Sequence, residues 1–395
     1  MPTSVPRAPA ALVDACEREA LALLRDNLAP EGILAAARGD RAKHRGYDRV
    51  FSRDAAVCVL AMALSGDARL ERGACASLAT LAEHQAANGQ IPKFVETASG
   101  SGDFWYLGCI DATLWWLIAL DWVERHGVGR GLGRKLVPQA RRALAWLACQ
   151  EHPRIHLLQQ NEASDWADIM PRSGFVLYTN ALWYRVKRLY GVAGAELTRR
   201  HFNQLFAPGG SEVPETKRLR LLVHYARKRK RHMDLYLSFV NLASWGEEGD
   251  VFGNLLASLL GLADGARSAA ILRAIERAQQ GARYPVRVTC DVIRRNDDLW
   301  RAYMGRHKQN LEHQYHNGGI WPMVGGFWVA ALAARGRKTL AQQELVRLAG
   351  ANALNGWEFN EWFHGLTGRP SGMPRQSWNA ASFLLARRSL TKRIF

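Results

Sequence analysis

Apolar residues recur along the chain with the period of an α-helix, and the alternation of apolar and polar residues that marks β-strands is nearly absent. The pattern therefore predicts an all-α fold with about twelve helices, whose boundaries are good to about two to four residues. The predicted helices start near Ala10, Asp54, Asp67, Ile110, Gly133, Phe175, Ala195, Phe252, Gly265, Trp321, Lys338 and Gln376.

These helices are of two kinds that tend to alternate. Two examples of the first kind are apolar nearly all round, as a helix packed on both sides must be, and read "DATLWWLIAL" and "GGFWVAALAA". Two examples of the second kind have one apolar stripe and a basic outer face, and read "RKLVPQARRALAWLAC" and "RKTLAQQELVRLAG". Six such pairs predict an inner ring of helices wrapped by an outer ring, an (α/α)6 barrel that forms a single domain over residues 1–395.

The connections before the apolar helices are long and rich in Trp, Tyr, Asp, Asn and Gly. Long loops in a compact domain are usually functional, so we expect them to gather at one mouth of the barrel and to form the site there. Residues 207–233 differ, because they contain a Pro-Gly-Gly turn and the basic run "RKRKRH". This segment is predicted to be a basic surface insertion and is the best candidate for disorder.

Composition narrows the class of protein. The 395 residues are 48% hydrophobic, which is typical of a globular protein, and no apolar signal segment is evident near the N-terminus. The six cysteines are scattered without a C-x-x-C pair, which indicates a reducing compartment and no metal cluster. We therefore expect a soluble, cytoplasmic protein.

The formal net charge of +17 is compatible with nucleic acid, an anionic membrane surface or an anionic substrate as partner. No nucleic-acid recognition motif is present, and many basic residues are spread along helical faces. The expected outcome is a solvated basic surface, with neither a membrane nor nucleic acid as the partner.

Asp111 stands at the start of the most apolar predicted helix, directly after the aromatic run "DFWYLGCI" and close to Trp115. One interpretation is a first-turn acid stabilised by the helix dipole. The other is a general acid, which must carry a proton. Desolvation by the aromatics favours this neutral carboxyl, and it would have to outweigh the helix dipole, which favours the ionised form.

The segment "WEFNEWFHG" carries Glu358 and Glu361 and leads into a Gly- and Pro-rich stretch that cannot be a regular element. An unpaired buried carboxylate costs several kcal/mol, so at least one of these glutamates is expected to face an open cavity. Glu361 is the better candidate, because it has polar and aromatic neighbours that include His364. The alternative is a structural ion pair of that glutamate with Arg369 or Arg375.

A third segment, "EASDWADIMPRSGFVLYTNALWY", interleaves acids with aromatics. Carboxylates accept hydrogen bonds from neighbouring sugar hydroxyls, and an indole face stacks on the C–H face of a sugar ring. The candidate sugar-binding residues of this segment are Asp165, Trp166, Asp168, Tyr178 and Asn180. In "YDRVFSRDAAV", Arg53 and Asp54 have two interpretations. They form an ion pair at a helix start, or Arg53 holds Asp54 in place so that the aspartate can bind ligand hydroxyls.

The segment "HNGGIWPM" combines Gly318 and Gly319, which allow the backbone to approach a ligand, with nearby His313 and His316. A third metal ligand of suitable spacing is lacking, so no metal and no cofactor are expected. Nucleophile elbows, phosphate-binding loops and dinucleotide fingerprints are also absent from the sequence. Carboxylates among aromatics remain, which matches the two-acid scheme of glycoside hydrolysis.

Five blocks resemble, in order, those of the neutral/alkaline invertase family and its (α/α)6-barrel relatives, which include trehalases, processing α-glucosidases and proteins described as amylo-α-1,6-glucosidases. The blocks are "YDRVFSRD", "DATLWW", "FGNLLASLLGLA", "HNGGIWP" and "EWFHGLTGR", spread from about Tyr47 to Ala386. The resemblance implies an inverting hydrolase with Asp111 as general acid and Glu361, four residues before Gly365, as general base. It also implies that Asp54 contacts the sugar.

By the same resemblance His316, Asn317 and Trp321 of "HNGGIWP" belong to the pocket. The middle block departs from the family, because it lacks the Asp-Arg-Arg segment of the invertases and is closer to the glucosidase-like relatives. The expected substrate is therefore a small saccharide or glucan, with sucrose first and the α-1,6 bond of a branched glucan second. A sugar epimerase using His313, His316 and His364, or a non-catalytic protein that binds glycans or polyanions through "RKRKRH", are the more distant alternatives.

Overall fold

Helices dominate the residues that the computed structural model describes, which are 9–207, 209–210, 212–229, 231–306 and 309–395. The helices are α1 (Pro9–Asp26), α2 (Asp40–Arg45), α3 (Ser52–Met62), α4 (Ala68–Glu83), α5 (Ile110–Arg125), α6 (Leu132–Lys135), α7 (Val137–Gln150), α8 (Leu177–Tyr190), α9 (Ala195–Phe206), α10 (Lys217–Arg229), α11 (Val251–Leu259), α12 (Gly265–Ala278), α13 (Ala302–Arg306), α14 (Pro322–Ala334), α15 (Lys338–Asn352), α16 (Leu354–Trp357) and α17 (Ser377–Ser389). The strands are β1 (Leu28–Ala29), β2 (Gly32–Ile33), β3 (Val50–Phe51), β4 (Phe94–Glu96), β5 (Ser101–Asp103), β6 (Gln159–Gln160), β7 (Gly174–Val176), β8 (Phe239–Val240), β9 (Trp362–Phe363) and β10 (Pro370–Ser371).

Six helices, α3, α5, α8, α11, α14 and α17, form a closed inner ring. Each packs against the next one along the chain, and α17 packs back against α3. Helix α14 shows why these sequences are apolar all round, because every residue from Pro322 to Leu332 is buried. With 13 residues, α14 is shorter than the roughly 20 residues that a membrane-spanning helix needs. In the part of the chain that the structure describes, no helix is both long and apolar enough to cross a membrane.

The outer ring consists of α1, α4, α7, α9, α12 and α15, which pack one face against the inner helices. In α12 the buried positions, Ser268, Ile271, Leu272, Ala274 and Ile275, lie on a single stripe with helical spacing. The remaining face is solvated, which explains the basic residues there. The architecture is the predicted (α/α)6 barrel.

All twelve predicted helix starts are confirmed to within two residues. The boundary near Gly133 is more complex than expected, because the single turn α6 precedes α7, which begins at Val137. Pro138 lies in the first turn of α7, where its missing N–H group has no helical partner to lose.

The loops that lead into the inner helices are joined by short antiparallel strand pairs around the mouth of the barrel. Strand β4 pairs with both β3 and β5, and β7 pairs with both β6 and β8. Further single bridges join Ile320 to Phe363 and Ala36 to Gln376. The mouth loops therefore hold one another in place, although none of them forms a large sheet.

The described residues of the segment 207–233 include a helix that was not among the predicted ones. This helix, α10, packs on α9 and buries Val223 and Ala226. The exposed side of α10 includes Leu221 and Tyr225. Of the run "RKRKRH", Lys230 lies outside the described residues.

The inner ring depends on close backbone approach, and Gly326 of α14 tests this. A Cβ atom at this position would lie 2.5 Å from the backbone oxygen of Ser382 in α17. We expect Gly326→Ala to lower the free energy of unfolding by about 1–3 kcal/mol, as overpacking does, in urea titrations followed by circular dichroism. Gly350→Ala in α15 is the control, because a Cβ there meets nothing within 4 Å. It should stabilise the protein by about 0.5–1 kcal/mol. A Gly326→Ala variant as stable as the wild type would contradict this packing.

Candidate active site

Asp111 is held at the mouth by side chains from the two neighbouring inner helices. It is the second residue of α5 and is 0% exposed. Its Oδ2 atom accepts hydrogen bonds from Arg53 Nη1 of α3 at 3.1 Å and from the Tyr178 hydroxyl of α8 at 3.1 Å. Its Oδ1 atom lies 3.5 Å from the thiol of Cys109, the residue before the first turn of α5. The carboxylate is thus committed to a buried cluster, and the interpretation as a plain helix-start acid does not describe its contacts.

Glu361 lies in the loop before β9 and is 4% exposed. Its Oε1 atom accepts from the Tyr47 hydroxyl at 2.7 Å, and its Oε2 atom accepts from the backbone N–H of Met373 at 2.8 Å. Its contacts include neither of the two arginines considered as structural partners, and Arg375 pairs with Asp26 instead. Gly372 has φ +78°, and a Cβ there would lie 2.3 Å from Glu361 Oε2, so only glycine lets this turn approach the carboxylate.

Burial raises the pKa of Glu361 to about 7. The hydrogen bonds from Met373 and Tyr47 oppose this shift, whereas the negative charges of Asp54 and Asp168 add to it. A carboxyl group with such a pKa can exist in either protonation state near neutral pH, which is the property that an acid/base catalyst needs.

Asp54 and Asp168 lie within electrostatic range of both Asp111 and Glu361. Burial raises the pKa of Asp54 to about 6, with Arg53 opposing and Asp111 adding to the shift. Burial also raises the pKa of Asp168, against Lys93 and Arg53, and Asp111 again adds to it. Because the same two carboxylates also act on Glu361, the four acids form one electrostatic cluster, which we call the catalytic pocket.

Two cations offset these charges. Arg53 pairs with Asp111 and lies 3.7 Å from Asp54 Oδ2. Lys93 Nζ is 4.1 Å from the ring centroid of Trp105 at the mouth. The pairing of Arg53 and Asp54 thus fits both interpretations at once, because Arg53 holds the aspartate while Asp54 Oδ2 keeps no hydrogen-bond partner among the described residues.

Aromatic rings form one wall of the pocket. His316 stacks on Trp321, with 5.0 Å between ring centroids and 14° between planes, and Trp166 meets His316 edge-on at 4.7 Å. Burial lowers the pKa of His316 well below its ordinary value, and Arg172 and Arg53 lower it further. These effects favour the neutral imidazole, whose Nδ1 lies 3.8 Å from Asp168 Oδ1.

Buried polar atoms without a hydrogen-bond partner concentrate in this pocket. Among the described residues they include Arg53 Nε, Asp54 Oδ2, Trp166 Nε1, Asp168 Oδ1, both ring nitrogens of His316 and Trp378 Nε1. Buried polar groups in proteins are nearly always hydrogen-bonded, and leaving one unpaired costs about 1–3 kcal/mol. A cluster of donors and acceptors of this kind is suited to a ligand that carries many hydroxyl groups.

Asp165 and Trp115 act through other residues. Asp165 accepts from Gln160 Nε2 at 2.9 Å and from the N–H of Ala167 at 2.8 Å, which fixes the loop that carries Trp166 and Asp168. Trp115 Nε1 donates to the Tyr178 hydroxyl at 2.7 Å and orients it toward Asp111.

Asn180, Asn317 and His364 are occupied by backbone groups, so we leave them out of the proposed sugar-binding set. The amide of Asn180 bonds Leu158 and Val176, and the amide of Asn317 bonds Ile293 and Asn310. His364 Nδ1 accepts from the N–H groups of Leu366 and Thr367, at 3.3 and 3.4 Å. The asparagines anchor loops, and the histidine anchors a turn.

Tyr47, Lys93 and Trp378 belong to the site but were not among the candidates from the sequence. Tyr47 opens the block "YDRVFSRD", which was singled out only for Arg53 and Asp54. Trp378 lies at the start of α17, where its ring meets Trp321 at 5.8 Å and the guanidinium of Arg53 at 5.8 Å. Its position in a first turn of an inner helix is the signal that could have identified it.

Comparison with known proteins supports the resemblance seen in the sequence. The family model of alkaline and neutral invertases matches residues 250–393. Probable alkaline/neutral invertase D of Arabidopsis thaliana is 33% identical over 141 residues, which are 34% of this chain and 26% of that protein. Cytosolic invertase 1 of Oryza sativa subsp. japonica is 29% identical over 143 residues, 35% of this chain and 25% of that protein. The chain thus spans about a quarter of the length of the curated relatives it matches. The residues matched by the family model include Glu361 but not Asp111.

Solved structures resemble nearly the whole chain. Mannosylglycerate hydrolase from Thermus thermophilus, in complex with Tris and D-glycerate, matches with a TM-score of 0.65 at 15% identity and covers 94% of this chain and 99% of that one. Glucoamylase from Saccharomycopsis fibuligera matches with a TM-score of 0.64 at 10% identity, covering 98% and 96%. At this level of identity the likeness establishes the fold, and the (α/α)6 barrel is confirmed.

The buried charge of Glu361 should cost stability. An unfolded glutamate has a pKa of about 4.3, so between pH 4.3 and about 7 the unfolded state releases a proton that the native state retains. Native stability is therefore lost as the pH rises through this window. Glu361→Gln removes the charge, and we expect the variant to be more stable than the wild type at pH 8 by up to about 3 kcal/mol, with a smaller advantage at pH 5. Urea unfolding at the two pH values measures this.

Glu358→Gln is the matched control, because Glu358 is half-buried and bonds Asn355 outside the pocket. Its stability should differ little from that of the wild type at either pH. A Glu361→Gln variant that is less stable than the wild type at pH 8 would show that the carboxylate is not penalised by burial.

Proposed function

We propose that this chain is an inverting glycoside hydrolase that cleaves an α-glucosidic bond, with Asp111 as general acid and Glu361 as general base. The observation that carries the proposal is the pocket in which these two buried carboxylates each accept a tyrosine hydroxyl while the polar atoms around them lack partners. Paired carboxylates in distinct environments are the machinery of glycoside hydrolysis.

In the acid step, Asp111 protonates the oxygen of the departing sugar. Its Oδ2 atom is held by Arg53 and Tyr178, whereas Oδ1 has only the weak thiol donor of Cys109 at 3.5 Å. Oδ1 is therefore the oxygen left to hand over a proton in the proposed acid step. After the transfer, Arg53 and Tyr178 stabilise the negative charge that remains on the carboxylate.

In the base step, Glu361 removes a proton from the water that attacks the sugar from the opposite face. Tyr47 and the N–H of Met373 fix the orientation of the carboxylate, one on each oxygen. Because water attacks directly, the configuration at the anomeric carbon inverts and no covalent intermediate forms.

The sugar would be held by Asp54 and Asp168, whose unpartnered oxygens accept hydrogen bonds from its hydroxyl groups. His316 and Trp166 offer further unpartnered nitrogens, and Trp321 forms the aromatic wall behind them. Two carboxyl groups and an aromatic face favour an uncharged, hydroxyl-rich ring.

Sucrose is the first candidate substrate, supported by the match of residues 250–393 to the invertase family. The α-1,6 bond of a branched glucan is the second, supported by the departure of the middle block from the invertase pattern. A cytoplasmic location is proposed as well, since one matched relative is a cytosolic invertase and all six cysteines are free thiols.

A reducing-sugar assay over sucrose, trehalose, isomaltose, panose and glucosylglycerate tests this function, with proton NMR to follow the anomer released first. We expect hydrolysis of at least one α-glucoside with inversion, and of sucrose first. Proton exchange at the sugar C2 without hydrolysis would instead identify an epimerase, and absence of any turnover would contradict the proposal.

On the substrate so identified, Asp111→Asn and Glu361→Gln should each lower kcat by about 100-fold to 10,000-fold, which is the usual contribution of a general acid or base. Far-UV circular dichroism should remain that of the wild type. Glu358→Gln serves as the control for the adjacent glutamate and should retain activity. Full activity in either Asp111→Asn or Glu361→Gln would remove that residue from the mechanism.

The pH dependence follows from the protonation of Glu361. Since the base must be ionised, kcat/KM of the wild type should rise with pH through a midpoint near 7. Tyr47→Phe deletes a hydrogen bond that favours the ionised carboxylate, so the midpoint should move upward by roughly one unit. Tyr303→Phe removes a comparable bond, from Tyr303 to Glu162, and should leave the midpoint unchanged. A downward shift in Tyr47→Phe would be incompatible with Glu361 as the base.

A further inference from the structure

A second cleft opens at the mouth of the barrel, between the loop that leads into α11 and the loop that leads into α14. Its volume is about 680 Å³, which lies in the range of roughly 300–1,000 Å³ that is typical of ligand sites. None of the catalytic or sugar-holding residues described above lines it. The side chains that matter here are Trp245, Glu247, Glu248, Asp297 and Arg301.

The walls of this cleft are bonded to the elements that build the catalytic pocket. Arg301 lies 3.4 Å from Glu162, which is in the loop that carries Asp165 and Asp168. The N–H of Ile293, another lining residue, donates to Asn317 Oδ1 at 2.7 Å, directly beside His316. The cleft therefore adjoins the pocket on the side of Asp168 and His316.

The lining is acidic although the chain has a formal net charge of +17. It contains five carboxylate residues, Glu247, Glu248, Asp291, Asp297 and Asp298, and two arginines, Arg231 and Arg301. Two of the carboxylates also have partners outside the lining, since Glu248 lies 3.2 Å from Arg172 and Asp291 lies 2.8 Å from His232. Like charges repel an anionic ligand in such a cleft, whereas carboxylates accept hydrogen bonds from neutral hydroxyl groups. The chemistry favours an uncharged carbohydrate.

Glu248 and Trp245 make this cleft more than an acidic surface. Glu248 is only 5% exposed, and its Oε2 atom has no hydrogen-bond partner among the described residues, although its Oε1 atom accepts from Arg172 at 3.2 Å. A ligand hydroxyl would satisfy that oxygen. Trp245 is half-buried, and its Nε1 donates to Glu247 at 2.6 Å, which holds the exposed part of the indole in one orientation at the edge of the cleft.

We propose that this cleft is a second carbohydrate site, which binds the uncharged part of an oligosaccharide that extends beyond the sugar held in the catalytic pocket. The inference rests on the proposed glycosidase function and deepens it, because it predicts that a sugar chain longer than a disaccharide binds more tightly than a disaccharide of the same linkage. It also favours a neutral substrate over an anionic glycoside.

The test measures binding without turnover, by isothermal titration of panose and isomaltose into the Glu361→Gln protein. Panose, the trisaccharide, should bind at least about fivefold more tightly than isomaltose. Adding Trp245→Ala should lower the affinity for panose by about tenfold and the affinity for isomaltose by less than about twofold, as expected for the loss of one aromatic contact. Trp245→Phe should recover most of the panose affinity.

Leu242→Ala is the matched control, since Leu242 lies in the same loop, is 77% exposed and does not line the cleft. It should change neither affinity.

Glu247→Gln provides a second variant should Trp245→Ala not fold. It should lower the affinity for panose by roughly threefold and leave the affinity for isomaltose unchanged.

Equal affinities for panose and isomaltose, or an equal loss of both in Trp245→Ala, would overturn the proposal. Failure of the glycosidase function would be seen separately, as absence of turnover by the wild type in the reducing-sugar assay while panose still binds at Trp245.

Discussion

Closure of the inner ring is the constraint on which the rest of this structure depends. A helix packed on both sides can carry few polar side chains along its length, as the fully buried α14 shows. Polar side chains are found in the first turn of the inner helices, because groups of the mouth loops can form hydrogen bonds with them there. Asp54, Asp111 and Tyr178 all occupy such first turns, in three consecutive helices of the ring. The packing that builds the barrel thus restricts these ionisable side chains to one end of it.

Burying that many acids requires cations at defined positions. Arg53 pairs with Asp111 and lies next to Asp54, and burial alone would lower its pKa, but the two aspartates raise it. Arg172 does the same on the other side of the mouth, where it lies 3.2 Å from Glu248 and 3.3 Å from Asp250. Removing one partner of such a pair leaves a buried charge uncompensated, which typically costs about 3–5 kcal/mol. These arginines are therefore structural and functional at once.

Most of the fold could be predicted from the sequence, because helical periodicity is a local signal and the two kinds of helix fix the order of the rings. Helix α10 was missed as a helix, since its many charged residues hide the stripe formed by Val223 and Ala226. The site was predictable only in part. Asp111 and Glu361 stand out by local context and by resemblance, but Tyr47 reaches Glu361 across 314 positions of the chain, and no local pattern encodes such a contact. For the same reason Asn180 and Asn317 looked like ligand groups, although their amides are used by the backbone.

The charge of the whole chain differs from the charge near the mouth of the barrel, and under the proposed function the local charge is what a substrate meets. Four carboxylates in the catalytic pocket face Arg53 and Lys93, and the five carboxylates of the adjoining cleft face Arg231 and Arg301 in its lining and Arg172 and His232 beside it. An approaching molecule is attracted or repelled by the nearby groups far more than by distant surface charges, because salt screens fields beyond about 8–10 Å. The basic residues on the outer helices therefore act on solubility and on encounters with other macromolecules. Under the proposed function a neutral sugar suits the mouth of this barrel, and the formal net charge of +17 is no argument for an anionic one.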